Sequence, residues 1–518
     1  MNSFPLITIL TLTPLVGGLI VLAVPETQKA LARALGLGTS LVALGLSLVL
    51  WAQFDSGSGT LQQVERHSWI ARLAVEYFVG VDGLGLLLVL LTAVVVPLAL
   101  LASWRIETQT SLYFGLVLLL QSGLFGTFTA LNFFHWFLFW ELSLVPAFFL
   151  IQLWGGPERS SAAMQFFVYT MVGSIALLLG FLALYLATGT FDFFKLAEMA
   201  RTGQIEPALA ARIALNHWSA HQLLLLVFGG VFLGFAVKVP LFPFHTWLPT
   251  AYAEAPSPTT MLLTGLMSKM GVYGFLRILL PIFPEQTRMV LTPLLWLAVL
   301  TIIFSAMAAF AQTDLKRVFA YSSINHLGYC LLGLFAAMKF TGNDLAMGVE
   351  KTAALNGVLL QIFNHGLTAA TLFAFIAFLE RRTGGFRSLQ GFGGLRQIAP
   401  VFCGLMGITL FSSLGLPGLN GFVGEFLIFK GVFPLAGWAA ALATIGLLVT
   451  AVFILTVIQK VFAGPLNQNW AKLPDLSLSE RAMIAPAIVL MFLLGLYPQL
   501  AIGIFNRTVV QLVQHLTL

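Results

Sequence analysis

Apolar runs of about twenty residues, separated by short polar stretches, recur along the whole chain and predict a protein built of membrane-crossing helices. A helix needs ~20 mostly apolar residues to cross the hydrocarbon layer. Fourteen such runs lie near 4–24, 30–52, 82–104, 111–130, 131–153, 162–188, 220–250, 258–281, 289–311, 316–338, 353–380, 398–433, 436–462 and 482–505. Their length, and the lack of two-residue alternation, exclude a β-barrel. The first run has no basic segment before it and no small-residue cleavage site, so it reads as a retained helix and not a signal peptide. The longest polar connections, 53–80 and 190–219, are too short for a core of their own. The second mixes apolar and charged residues at helical spacing and is expected to lie on the membrane surface.

Two of the runs are interrupted in a similar way. The seventh reads GGVFLGFAVKVPLFPFHTWLP, with Pro240 and Pro243 at mid-membrane, and the twelfth reads FSSLGLPGLNGFVGEFLIFKGVF, with Pro417 and Gly418 there. Proline removes a helical donor and frees a carbonyl, so both segments are expected to be broken helices. Freed backbone at that depth is tolerated only where protein or a watery cavity covers it. Paired broken helices in corresponding halves point to an internal-repeat transporter with its sites near the midplane. The expected division is 1–110 for helices one to three, 111–285 for a first repeat of five helices, 286–465 for a second, and 466–518 for the last helix. A weak echo between YTMVGSIALLLGFLALYLATG and NHGLTAATLFAFIAFLERRTG supports the repeat.

Composition sharpens this picture. Only 9% of residues are charged and 59% are hydrophobic, where a soluble domain carries ~25% charge. The net charge of +6 is scattered over loops with no basic patch, which argues against a nucleic-acid partner. The loops holding Lys29/Arg33, Arg105, Arg159, Lys316/Arg317, Arg381/Arg382/Arg387/Arg396 and Lys460/Lys472/Arg481 alternate with less basic ones. The positive-inside rule puts these loops in the cytoplasm and both termini on the outer side. Cys330 and Cys403 fall inside helices and read as small packing residues.

Candidate chemistry lies in four ionisable residues within the apolar runs: Glu141, Lys238, Lys269 and Glu425. A charge at the bilayer centre costs at least ~2.5–3.5 kcal/mol, so two carboxylates and two amines there suggest a proton path. Glu141 and Lys238 could pair; at ~4 Å and an effective dielectric of ~20 their attraction is about 4 kcal/mol. Lys269, in LLTGLMSKMGVYGF, has no partner nearby in sequence, and Glu425 follows the break of the twelfth run. His326 and His365 would lie between Lys269 and Glu425 in a linear path, whereas His245 is placed to shape the seventh-run break. His135, near Glu141, reads as structural. The chain has no glycine-rich dinucleotide fingerprint, phosphate loop or cysteine cluster, and its histidines lack metal-site spacing. No redox cofactor is expected in this chain.

The segments GVDGLGLLLVLLT, FFHWFLFWELSLVPAFFLIQLWGG, KVPLFPFHTWLPTAYAEAPSPTTMLLTGLMSKMGVYGFLR, AQTDLKRVFAYSSINHLGY and LPGLNGFVGEFLIF resemble the antiporter-like membrane subunits of respiratory complex I. The resemblance covers about residues 75–500, and the glutamate of GFVGEF points to one branch, since sister subunits and related multisubunit cation/proton antiporters usually carry lysine there. It implies an all-helical protein of fourteen spans in two inverted five-helix repeats, in a bacterial inner membrane beside the other membrane-arm subunits. By motif match, Glu141 and Lys238 would be a coupling pair, Lys269 the central relay lysine, His326 a relay histidine and Glu425 the exit or entry residue of the second half. NADH, FMN, iron–sulfur clusters and quinone would belong to partner subunits. A charge change in a neighbour would weaken the Glu141–Lys238 pairing, and Lys238 would pass its proton towards Lys269 and on through water and His326 to Glu425. A cation/proton antiporter subunit without a redox partner is the alternative.

Overall fold

Long apolar runs leave the chain few options, because every backbone N–H and C=O in lipid must bond within its own segment. The computed structural model describes residues 4–73, 75–212, 218–342 and 344–517. Among these, twelve helices are long and apolar enough to cross a membrane. The chain opens with α1 (Leu6–Leu22) and α2 (Lys29–Ala52), followed by a hairpin of β1 (Gln62–Ile70) and β2 (Val75–Val81). Then come α3 (Gly83–Ala102), α4 (Thr110–Thr129), α5 (Phe133–Trp154), α6 (Arg159–Thr188), α7 (Phe193–Arg201), α8 (Ile205–Arg212), α9 (Ala220–Lys238) and α10 (Trp247–Glu254). A helix with two widened turns, α11 (Ser257–Ile282), precedes α12 (Leu291–Ala311), α13 (Leu315–Ala336) and α14 (Leu345–Thr383). The chain ends in α15 (Pro400–Leu414), α16 (Asn420–Leu435), α17 (Gly437–Val461), α18 (Leu478–Leu496) and α19 (Gln499–Thr517).

Both expected breaks are present. Lys238 ends α9, and turns carry the chain through Pro240 and Pro243 to α10. Between α15 and α16, Gly415 and Gly418 take positive φ values of +80° and +95°, which glycine adopts without steric cost. Helices that are apolar all round are buried: α3, α11, α13 and α14 are almost wholly enclosed, while α2, α6, α17 and α18 bury only one side. α14 packs most extensively on α16, and α6 packs on α9. The centre of the protein is therefore α11, α13 and α14, and each carries one candidate relay residue.

Two features depart from the simple reading of the runs, and a third segment realises its helical spacing. The 53–80 connection is an antiparallel hairpin, in which Arg66 faces Phe78 and Ser68 faces Glu76. Its Glu65 accepts hydrogen bonds from the Ile7 and Thr8 amides at 2.9 and 3.2 Å, closing the first turn of α1. The last apolar run stops at Pro498, which cannot continue a helix, and the chain turns into α19. There Thr508 accepts from the Gly83 amide (3.0 Å) and Asn506 from Asn356 (2.7 Å). The 190–219 connection forms α7 and α8, which bury Phe193, Leu196, Ile205 and Leu209; its residues 213–217 lie outside the described residues.

The basic loops meet at one end of the bundle. Glu107 pairs with Arg33 (2.6 Å) and Lys29 (3.2 Å), Arg382 with Glu480 (2.5 Å), and Arg387 with Asp314 (3.1 Å). Glu107 is held below the usual carboxylate range by the Arg33 hydrogen bond first and by Lys29 second. The hairpin, α7 and α19 lie at the opposite end.

A row of buried ionisable side chains as the candidate functional site

Lys269 is fully buried on α11. Two of its partners come from its own helix, which corrects the expectation of no partner nearby in sequence, and tertiary structure supplies the third. The turn Leu263–Met267 is widened to a π turn, a feature often found at functional positions. Beside it, the Lys269 ammonium donates to the Thr264 carbonyl (2.5 Å), to Ser268 Oγ (3.1 Å) and to His365 Nδ1 (2.7 Å). An ammonium has three donors and no acceptor. All three are matched by a partner within the protein, and none of these partners is a carboxylate.

His365 comes from α14, and its ring lies 5.0 Å, centroid to centroid, from that of His326 on α13. His326 Nδ1 is 3.0 Å from Glu425 Oε1, and its Nε2 is 3.2 Å from Ser413 Oγ. Gln361 Nε2 also donates to Glu425 Oε1 (3.2 Å) and lies 3.3 Å from His326 Nδ1. Glu425 sits in the second turn of α16, against the break: a Cβ on Gly415 would come within 2.8 Å of its Oε2. Lys269, His365, His326 and Glu425 thus form one row of buried groups drawn from four helices. Both histidines fall between the two charged ends.

Glu141 and Lys238 occupy a second, separate place. The two are near enough to feel each other's charge, yet none of the ion pairs within 4 Å among the described residues joins them. Lys238 Nζ instead lies over the Trp140 ring, 4.9 Å from its centroid, a cation–π contact. Being the last residue of α9, it also faces the negative end of that helix dipole. Trp140 in turn donates to Ser174 Oγ at 3.0 Å. Glu141 is half-buried beside the exposed stripe of Leu138, Val145 and Phe149, and its Oε1 has no partner. Among the described residues no hydrogen bond joins Lys238 to Lys269. Ser143, bonded to the Trp140 carbonyl (2.7 Å) and 3.6 Å from the Met270 sulfur, stands between the two places.

His245 does not enter the row. It stacks on Phe242 at the α9–α10 break, with Phe242 on the exposed Phe304, and its Nδ1 has no partner. His135 packs among Tyr77 and Phe139 under the hairpin, at 4.8 and 5.0 Å between rings. The sequence reading missed Gln361, Ser413, Thr264 and Ser268, uncharged residues whose spacing sets them apart from no other polar residue in these helices. It also missed the buried pair of Asp82 and Arg277 (2.5 Å), which sits towards the hairpin end where the apolar runs begin and end. Among the described residues no group of three or more His, Cys, Asp or Glu is placed to hold a metal ion.

Two broken helices around a buried lysine–histidine–histidine–glutamate row define a membrane protein of the antiporter-like class. A family model described as NADH:quinone oxidoreductase/Mrp antiporter, TM, matches residues 130–453. NADH-quinone oxidoreductase subunit M of Rhodobacter capsulatus is 34% identical over 98% of this chain and 96% of its own length. NAD(P)H-quinone oxidoreductase chain 4 2 of Thermosynechococcus vestitus is 34% identical over 99% of this chain and 92% of its own. Among solved structures, a chain of respiratory complex I from Thermus thermophilus with bound NADH superposes with a TM-score of 0.82 at 29% identity, covering 98% and 99% of the two chains. A chain of the Mrp complex from Dietzia shares the fold, with a TM-score of 0.77 at 24% identity over 96% of this chain and 52% of that one. The chain belongs to the NADH:quinone oxidoreductase/Mrp antiporter membrane-subunit family, and within it resembles subunit M, or chain 4.

Proposed function

We propose that this chain is a proton-translocating membrane-arm subunit of an NADH-quinone oxidoreductase, and that protons pass along Lys269, His365, His326 and Glu425. The observation that carries the reading is the row itself: the ammonium bonds His365 at 2.7 Å, and His326 bonds Glu425 at 3.0 Å. Each group can hold a proton and give it up, and groups within hydrogen-bond reach can exchange one. His365 and His326 exchange across the 5.0 Å between their rings, through a bridging water or a ring rotation. Loss of the Lys269 proton to His365 lowers the positive charge at the lysine end of the row and moves it one place nearer Glu425.

Glu141 and Lys238 serve as the coupling pair. Glu141 borders an exposed apolar stripe, where a neighbouring subunit would rest, so a charge change there reaches it first. With no hydrogen bond from Lys238 to Lys269, the signal crosses as an electrostatic field. Two unit charges ~10 Å apart at an effective dielectric of ~20 interact by about 1.7 kcal/mol, a little over tenfold in a proton equilibrium. The two halves, 111–285 and 286–465, are then inverted five-helix repeats around these sites. The basic loops face the cytoplasm of a bacterial cell, and both termini face outward. Electrons move from NADH to quinone over carriers in partner subunits.

An Mrp-type cation/proton antiporter is the second reading, supported by the shared family description and fold but by none of the relatives at 30% identity or more named above. The assembled oxidoreductase in proteoliposomes tests the first: Lys269→Met and Glu425→Gln should each lower NADH-driven proton uptake by more than fivefold. Wild-type uptake in both would overturn it.

A further inference from the structure

Once the ammonium has passed a proton to His365, Lys269 is a neutral amine with a lone pair, and something must refill it. Its three present partners are not equivalent. The Thr264 carbonyl can only accept, and His365 is the outlet. Ser268 Oγ alone can donate: it now gives its hydrogen to the Thr264 carbonyl (2.9 Å) while receiving one from Lys269. A turn of that hydroxyl towards Nζ reloads the amine, provided Ser268 receives a proton from behind.

Behind it stands Tyr252, at the end of α10 and 1% exposed. Its hydroxyl lies beside Ser268 and Thr264, yet it has no hydrogen-bond partner. A buried hydroxyl without a partner is rare enough to need an explanation. On the backbone side of Tyr252, polar contacts lead to the basic end of the bundle, and water would have to bridge them to the hydroxyl. Thr260 Oγ1 donates to the Tyr252 carbonyl (3.1 Å) and reaches the Ala255 carbonyl (3.5 Å), which also accepts from the buried Lys316 ammonium. Lys316 Nζ is 3.8 Å from Glu380, whose carboxylate is 22% exposed and accepts from Ser257 Oγ at 2.5 Å. Arg387, bound to Asp314 (3.1 Å) and 3.9 Å from Glu380, completes the charged mouth.

We propose that Tyr252 and Ser268 form the branch that reloads Lys269, with protons entering at Glu380 on the basic face. The proposal rests on the relay reading above. In each transfer the Tyr252 oxygen takes a proton from the Thr260–Lys316 side, through water, as its own hydrogen goes to Ser268. Ser268 releases its hydrogen to Lys269 Nζ, so neither hydroxyl gains or loses charge. The unpartnered hydroxyl is then a proton conductor at rest, free to turn either way.

The test uses the assembled complex in inside-out vesicles, with the medium bathing the basic face. Tyr252→Phe keeps the ring and removes only the hydroxyl. It should slow NADH-driven proton uptake at least fivefold, raise the solvent deuterium isotope effect, and make the rate climb as the medium is acidified from pH 8 to 6. Thr260→Val, also near-isosteric, should change the same three readouts in the same direction but less, and it carries the test where Tyr252→Phe lowers assembly. Wild-type rate, isotope effect and pH profile in either assembled variant overturn the proposal. A block by Lys269→Met with Tyr252→Phe unchanged sinks only the reloading branch; both unchanged sinks the relay itself.

Discussion

Replacing His365 by leucine cuts the row at its narrowest point. His365 holds one of the three Lys269 hydrogen bonds, at 2.7 Å, and its ring is the neighbour of His326 at 5.0 Å. Leucine has similar bulk, so the packing of α14 on α11 and α13 is largely kept. What disappears is the group between Lys269 and His326. A positioned proton-transfer group contributes ~10²–10⁴-fold to rate, and the lower figure corresponds to ~2.7 kcal/mol in the barrier. The static cost is smaller in kind: the ammonium loses one charge-assisted bond, worth ~1.5–3 kcal/mol, and keeps the Thr264 and Ser268 acceptors. His365→Leu should therefore assemble, yet fail to conduct. Proteoliposomes report this in two ways: NADH oxidation against an acidification dye gives protons moved per electron, and an uncoupler shows whether oxidation is held back by the blocked path. The expected result is a lower proton-to-electron ratio, or coupled oxidation that stays slow. A variant with both quantities at the wild-type level would refute the row as the path.

Three further outcomes follow from the geometry. Gly415→Ala forces a side chain into a φ of +80° and brings a Cβ within 2.8 Å of Glu425 Oε2; it should lower thermal stability by ~1–2 kcal/mol and slow proton uptake, measured by melting and dye quenching of the same preparation. Arg277→Met leaves the buried Asp82 carboxylate uncompensated, a loss of ~3–5 kcal/mol, and should show as loss of this subunit from the purified complex. Glu107 has its proton affinity depressed in the folded state by Arg33 and Lys29, so its contribution is present above the unfolded carboxylate value of about 4.3 and is lost as pH falls through the lower folded value. Glu107→Gln should accordingly lower stability slightly at pH 8, leave it unchanged at pH values below the folded one, and so flatten the acid limb of a pH–stability curve.

The spans and the buried charges were legible from the chain because a bilayer is an unforgiving solvent. Lys238 and Glu425 stand out against apolar neighbours, and Pro240 and Pro417 mark the breaks beside them, with no need of coordinates. The partners are another matter. Lys269 and His365 are 96 positions apart, and His326 and Glu425 are 99 apart; no periodicity within one helix relates them. Gln361 resembles many other polar residues in spans until packing brings it against Glu425, and Ser268, though next to Lys269 in the chain, carries no mark of its own as a partner. The π turn at Leu263–Met267 has no sequence signature of its own.

Burial in lipid is decided by composition over twenty residues, so the chain by itself determined that this is a helical membrane protein with ionisable groups at depth and two interrupted helices. Which of those groups touch was decided only by how α11, α13, α14 and α16 pack. A proton can hop over about one hydrogen bond, and that length is set between helices, not along them. For this reason the sequence named Glu141, Lys238, Lys269, His326, His365 and Glu425 alike, while the tertiary structure joined four in one row and set the other two apart.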